Sequence, residues 1–140
     1  DKAGGAAFRL PTEAEWEYTC RAGSSTVYFY GDDAGQLGEY AWYEANSSRA
    51  TRPVGQKKPN AWGIYDMHGN LCEWCQDYYG QGYYSDGPDS DPQGPSSGSR
   101  HVLRGGSWVD DPGRCRSATR FNVDPSSRYL SCGVRVVRAL

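Results

Sequence analysis

The 140-residue sequence predicts a single α+β domain in which irregular loop outweighs regular structure. Three observations carry that expectation. One short helix is clearly signalled near the N-terminus, and several short runs further on read as strands. The segments between them are dense in turn-forming residues, with eighteen glycines and eight prolines in all. Eleven tyrosines and five tryptophans stand against three phenylalanines and one methionine. Side chains with a large face and a polar tip suit half-buried layers and binding surfaces better than an oily core.

The helix comes first. In RLPTEAEWEYTCRAG, Thr12 is a good N-cap, Glu15 closes a capping box, and Glu13 sits in the first turn. Gly23 supplies the stop, so a helix is predicted over about 13–21. Ala14, Tyr18 and Arg21 lie on one side of it, with Trp16 and Cys20 on an adjacent one. TVYFY at 26–30 reads as a strand, GDDAGQLGEY as a loop, and YAWYEAN as a short turn or strand. RPVGQKKPNAWGIYDMHGN predicts an ordered loop with a short extended piece around Gly63 to Tyr65. LCEWCQDYY at 71–79 predicts a strand with Leu71, Glu73 and Cys75 facing one way and Cys72, Trp74 and Gln76 the other.

GQGYYSDGPDSDPQGPSSGSR has a linker's composition but contains Tyr83 and Tyr84, so it is expected to wrap the surface before HVLRGGSW resumes as a strand. RSATRF and VRVVRAL read as further strands. Neither an internal repeat nor a second domain is visible.

Composition excludes several function classes. A formal net charge of -2 offers nothing to nucleic acid or an acidic membrane, and no apolar run approaches the ~18 residues of a membrane span. Five cysteines, at 20, 72, 75, 115 and 132, cannot all pair within one chain and are too sparse for a disulfide scaffold. Reduced, buried thiols are expected. Cys72 and Cys75 form a C-x-x-C that no second pair completes into a zinc set. His68 and His101 each lack a second histidine at ligand spacing and read as loop or core residues. The arginines crowded toward the C-terminus alternate with small and apolar residues, which predicts pairing with carboxylates and loop carbonyls.

RLPTEAEWEY, NAWGIYDMHGNLCEWC, DPQGP, VLRGGSW, CRSATR and GVRVVR follow one another in order. Through these motifs, over nearly its whole length, the chain resembles the formylglycine-generating enzyme / sulfatase-modifying-factor family. The resemblance implies a loop-rich variant of the C-type-lectin-like fold, with a small twisted antiparallel sheet and few short helices. It also implies that residues 1–140 are one such domain lacking its N-terminal part, since these domains normally begin well upstream of the RLPTEAEWE motif; the missing element is expected from the same longer polypeptide or from another one.

Catalytic members of the family hold Cu(I) between two cysteine thiolates placed shortly after Gly-Gly-Ser. Counted forward from Gly105-Gly106-Ser107, the first of those positions is Asp110 and the second Cys115; aligned backward from RSATR, neither is a cysteine. A single thiolate beside a carboxylate is a poor Cu(I) site, so copper is not expected. No residue is assigned a catalytic role, Cys115 entering only under an oxidase reading.

For calcium the resemblance implies one site on YDMHGNLCE, formed by the side chains of Asp66 and Glu73 and the carbonyls of Gly69 and Leu71. Without it, Asp66 reads as a turn cap and Glu73 as an arginine's partner. The second calcium site of the catalytic relatives has no acidic pair to build on between Tyr40 and Pro59.

The resemblance thus implies a non-catalytic domain that binds a protein or small-molecule ligand through the loops after GGSW. A subset of the family consists of variable ligand-binding proteins diversified by retroelements, whose variable positions correspond here to three stretches. These are Val109-Asp110-Asp111, Phe121-Asn122-Val123-Asp124 and Tyr129-Leu130-Ser131-Cys132. None of them holds Lys, Glu, Gln, Met or Trp, and all are encodable by the NNY codons such elements diversify. Exposed Phe, Tyr and Leu there would suit a binding surface in which rigid aromatics anchor and Ser or Asn adapt; burial of Phe121 and Tyr129 would argue against it. The alternatives are a formylglycine-generating oxidase acting on sulfatase cysteines, or the substrate-binding half of a sulfoxide-synthase-type enzyme. Nothing in the sequence assigns a cellular location.

Overall fold

The computed structural model describes residues 7–87 and 90–138. Its regular elements are short, as predicted: β1 (Phe8–Arg9), α1 (Glu13–Arg21), α2 (Leu37–Tyr40), β2 (Cys72–Tyr78), α3 (Tyr83–Asp86), β3 (His101–Arg104), β4 (Arg120–Val123), β5 (Cys132–Gly133) and β6 (Val137–Arg138). The fold is C-type-lectin-like, with a curled four-stranded sheet in the order β4-β3-β2-β5 and a separate β1-β6 ribbon. From β4 to β2 the sheet is antiparallel, as expected, but β5 joins the edge of β2 in parallel. That makes the sheet mixed.

α1 forms where the local chemistry demands it. Thr12 Oγ1 accepts from Glu15 N–H at 3.2 Å and Glu15 Oε2 accepts from Thr12 N–H at 2.8 Å, a reciprocal cap in which the Thr12 side chain contributes about 1 kcal/mol. The helix stops at Ala22, which takes the left-handed conformation (φ +45°), and Gly23 continues it (φ +92°). Its inward face is Glu13, Trp16 and Cys20, while Tyr18 is left exposed. Trp16 alone, 1% exposed, contributes about 3 kcal/mol by burial.

Alternation along β2 is also as predicted. Glu73, Cys75 and Asp77 are buried toward α1, and Cys72 and Trp74 share the opposite face. Two apolar clusters form the core: Trp16, Cys20, Met67, Cys75 and Val102 in one, Tyr28, Leu37, Ala41 and Cys115 in the other. All five cysteines are free thiols.

So small an apolar core is reinforced by ions. Arg104 on β3 is fully buried, and Arg120 lies directly opposite it on β4. Both reach one carboxylate: Arg104 Nη1 donates to Glu13 Oε1 at 3.1 Å, and Arg120 donates from Nε to Oε1 at 2.6 Å and from Nη2 to Oε2 at 2.7 Å. Arg104 also pairs with Glu17 and donates to Ser117 O at 2.8 Å. Helix and sheet are thereby tied through charge.

Several local expectations are corrected. GDDAGQLGEY is not all loop, since Leu37–Tyr40 forms α2. TVYFY is not a strand: Tyr28 and Gly31 exchange backbone bonds of 3.0 and 3.2 Å across a tight reversal. The rings of Phe29 and Tyr30 stack instead on His68 and Tyr40, with centroids 4.6 and 4.2 Å apart. Around Gly63 to Tyr65 the loop is ordered as expected, Asn60 Oδ1 gathering the Trp62 and Ile64 N–H groups at 3.0 and 3.1 Å, but Gly63 itself is left-handed (φ +76°) and not extended. The strand predicted from RSATRF begins only at Arg120, since Ser117 N–H bonds to Val27 O and Thr119 N–H to Arg116 O, which is turn geometry. VRVVRAL contributes just Val137–Arg138, its last two residues lying outside the described ones. The long polar loop does wrap the surface, held where Tyr84 OH donates to Glu13 Oε2 at 3.3 Å.

Candidate functional site

β3 ends in two left-handed glycines, Gly105 (φ +95°) and Gly106 (φ +72°). A Cβ on Gly106 would stand 2.7 Å from Cys115 Sγ and 3.0 Å from its Cα, so glycine is required twice over, for conformation and for space. The turn docks the chain on the HGN loop. Gly69 N–H donates to Gly105 O and Trp108 N–H to Asn70 O, both at 2.9 Å.

Beyond the turn, Asp110 is buried. Ser107 Oγ donates to its Oδ2 at 2.6 Å and Arg114 Nε to its Oδ1 at 2.7 Å. Cys115 is fully enclosed, and its burial, with Asp110 and Asp111 nearby, pushes the thiol up to about 12. A thiol that stays protonated at neutral pH and lacks solvent access is packing, not a nucleophile.

Around this turn the three singled-out stretches meet. Val109, Asp110, Phe121, Asn122, Val123, Tyr129, Ser131 and Cys132 line one open cavity of about 600 Å³. Val109 and Tyr129, 47% and 55% exposed, stand on its rim, and half-buried Phe121 to Val123 form a wall of strand β4. Neither Phe121 nor Tyr129 is a core residue. Leu130, 88% exposed, projects outside the cavity, as do Asp111 and Asp124. Asp111 Oδ1 accepts from Arg114 N–H at 3.2 Å and Asp124 Oδ1 from Ser126 N–H at 2.8 Å, so both carboxylates shape turns.

Sequence reasoning missed the rest of the lining, which includes Cys72, Leu103, Arg100, Arg114, Thr119 and Arg120. The register explains the first two. Leu103 lies opposite Phe121, and Cys72 opposite Cys132, so each shares a sheet face with a residue already singled out. Arg114 stacks over Phe121 with its guanidinium carbon 4.9 Å from the ring centroid. Asp110 balances Arg114 and Glu13 balances Arg120, whereas Arg100 rests on the neutral Asn122 Oδ1 at 2.9 Å. The cavity therefore joins aromatic and apolar surface to a cationic rim.

The four calcium positions lie together on a second cavity of about 500 Å³, beside Arg135. Asp66 is in the left-handed region (φ +57°); its Oδ2 accepts from Gly55 N–H at 2.7 Å while its Oδ1 is buried without a partner. Glu73 is already engaged: Trp16 Nε1 and Arg135 Nε donate to its Oε2 at 2.7 and 2.8 Å, and Arg135 Nη2 to its Oε1 at 2.9 Å. Of the histidines, His68 is fully buried, its Nε2 accepting from Phe29 N–H at 3.2 Å, and burial lowers its pKa to about 3. His101 sits in β3 against Tyr78.

Among solved structures, Treponema denticola variable protein 1 superposes with a TM-score of 0.89 at 41% identity, over 94% of this chain and 47% of that one. PvdO from Pseudomonas aeruginosa superposes with a TM-score of 0.86 at 35% identity, over 97% of this chain and 54% of that one. In sequence, the formylglycine-generating enzyme of Streptomyces coelicolor is 37% identical over 142 aligned residues, covering 91% of this chain and 45% of that protein. The chain thus spans about half the length of these relatives. Residues 2–140 match the model of the sulfatase-modifying factor enzyme 1-like domain, and with the GGSW turn, the lectin-like sheet and these relatives in agreement, the chain belongs to that family.

Proposed function

We propose that the domain is a non-catalytic binding module that takes its ligand in the cavity beside the GGSW turn. The observation that carries this reading is convergence. Three stretches separated by turns supply a rim of exposed Val109 and Tyr129, a wall of Phe121 to Val123, and the half-buried Ser131 and Cys132. Rigid aromatics beside adaptable Ser and Asn are the makings of a recognition surface, and the likeness to a variable protein supports the same reading. With Arg100 at the edge, resting on the neutral Asn122 Oδ1, the ligand chemistry that fits is an aromatic or apolar group bearing a carboxylate.

The oxidase reading finds no such support. Cu(I) needs two soft, deprotonated sulfurs. At the two positions counted from GGS, this chain offers a carboxylate already held by Ser107 and Arg114, and an enclosed thiol. That pair does not fit the metal. The sulfoxide-synthase half has no observation in its favour.

A second reading concerns calcium and rests on Asp66 Oδ1, a buried carboxylate oxygen with no partner. A Ca²⁺ ion held by Asp66, the Gly69 and Leu71 carbonyls and the free lone pair of Glu73 Oε1 would satisfy it. Arg135 opposes this by placing a positive charge on the same glutamate. The site would be a weak, structural one.

The test of the binding reading is amide NMR during titration with a panel of aromatic carboxylates. Shifts confined to Val109, Phe121 to Val123 and Tyr129 to Cys132, with affinity falling about 10-fold in Tyr129→Ala, are expected. Shifts elsewhere, or conversion of a sulfatase-derived cysteine peptide to formylglycine by the chain loaded with Cu(I), would refute it.

A further inference from the structure

From the register of the sheet we infer that Cys72 and Cys132 form a redox-sensitive pair that closes into a disulfide and clamps the terminal wall of the cavity. The two residues are Cα partners in the parallel β2–β5 pairing. Neighbouring strands lie about 4.8 Å apart, inside the Cα separation of about 4.4–6.8 Å that a disulfide spans. Cross-strand partners also project from the same face, and both cysteines line the same cavity. The approach at this point is close: a Cβ on the next residue, Gly133, would meet Leu71 Cδ1 at 2.8 Å.

The pair is asymmetric. Cys72 is 6% exposed, with Sγ 4.0 Å from Asp110 Oδ2, while Cys132 is half-buried and opens on the cavity. Burial raises both thiols above the ordinary cysteine range, so the reaction quickens as pH rises. The oxidant is a low-molecular-weight disulfide of the glutathione type. The Cys132 thiolate attacks one of its sulfurs, the S–S bond breaks, and one thiol leaves. Cys72 then attacks Cys132 Sγ in the mixed disulfide and expels the second thiolate, which takes the proton from Cys72. Two protein thiols are oxidised and one small disulfide is reduced to two thiols.

The consequence lies in how lightly β5 is held. It has two residues, anchored at its start by Cys72 N–H to Ser131 O at 2.9 Å and Cys132 N–H to Tyr129 O at 3.4 Å. A covalent bond here fixes the end of the loop that carries Tyr129 and Leu130. The crosslink stands independently of the proposed ligand; only its effect on binding rests on that reading.

The test uses the whole chain incubated with glutathione disulfide, then alkylated, digested and mapped by mass spectrometry, with amide exchange measured on both forms. The expected result is a Cys72–Cys132 linked peptide with Cys20, Cys75 and Cys115 alkylated. Cys132→Ser should give no crosslink, and Cys72→Ser should leave glutathione on Cys132. Exchange at Tyr129 to Ser131 should slow at least 10-fold in the oxidised form. A bridge from Cys132 to Cys115 would overturn the inference, as would a mixed disulfide persisting in the wild-type chain, or unchanged exchange in a crosslinked one.

Discussion

Acid should destabilise this domain through one histidine. His68 is enclosed between Phe29, stacked at 4.6 Å, and the edge of Tyr28 at 5.5 Å. Its Nε2 accepts the Phe29 N–H, which assigns the proton of the neutral ring to Nδ1. Protonating Nε2 would set that proton and the Phe29 N–H against each other in a fully buried site. Burial is the main cause that lowers its pKa to about 3, with the positive charge of Arg21 adding to it. In the unfolded chain the same ring titrates near 6.5. The folded value is the lower one, so between these two values the unfolded state binds the extra proton. The contribution is fully present above about pH 6.5 and is lost as pH falls toward 3, at about 1.4 kcal/mol per pH unit. From pH 6.5 to 4.5 the loss is about 2 kcal/mol, or a melting temperature lower by roughly 7 °C for a domain of this size. Asp77, raised by burial, acts in the opposite direction, and Glu15, lowered by its bond to Arg9, in the same one. The assay therefore compares wild type with His68→Gln, which keeps an acceptor and cannot titrate. Urea unfolding at half-unit pH steps should give curves that diverge by about 2–3 kcal/mol at pH 4.5. Parallel curves would refute the assignment.

Other substitutions probe the remaining supports. Glu13→Gln leaves Arg104 and Arg120 around a neutral amide and should cost about 3–5 kcal/mol in the urea midpoint; a loss under 1 kcal/mol would mean that Glu17 and the loop carbonyls suffice. Gly106→Ala forces a left-handed alanine into Cys115 and should cost about 2–4 kcal/mol, read by thermal melting against a Gly55→Ala control, whose Cβ meets nothing within 4 Å. If calcium binds at Asp66, adding it after chelation should raise the melting temperature of wild type but not of Asp66→Ala. Equal shifts in the two proteins would remove the ion from that cavity.

What the sequence made legible was local. The Thr12–Glu15 box and the alternation of β2 each rest on neighbouring residues, and each formed where expected; HVLRGGSW, read as a strand throughout, instead leaves the sheet after Arg104 through the left-handed Gly105 and Gly106. TVYFY misled because its pattern of aromatics is the same whether they pack across a sheet or around a distant ring, and His68 was the partner chosen. The convergence of the three loop stretches was legible only through the family resemblance, since no spacing brings Val109 to Tyr129. The burial of Asp110 and the entry of Arg100, Arg114 and Arg120 into the cavity depend on strand register and tertiary pairing. The Cys72–Cys132 adjacency depends on a parallel edge that antiparallel expectation excludes.

The way β4 is held bears on how the surface can evolve. Its backbone is laddered to β3 from Val123 to Arg120, and its inner end is bolted to α1 through Arg120 and Glu13. Position is thus set by main chain and by one residue just outside the stretch Phe121 to Asp124. Side chains along that stretch can be exchanged while the strand keeps its place, because the anchorage and the contact surface are different sets of atoms. On the binding reading proposed above, such a division of labour would let substitution at a few positions change the ligand without renegotiating the fold each time.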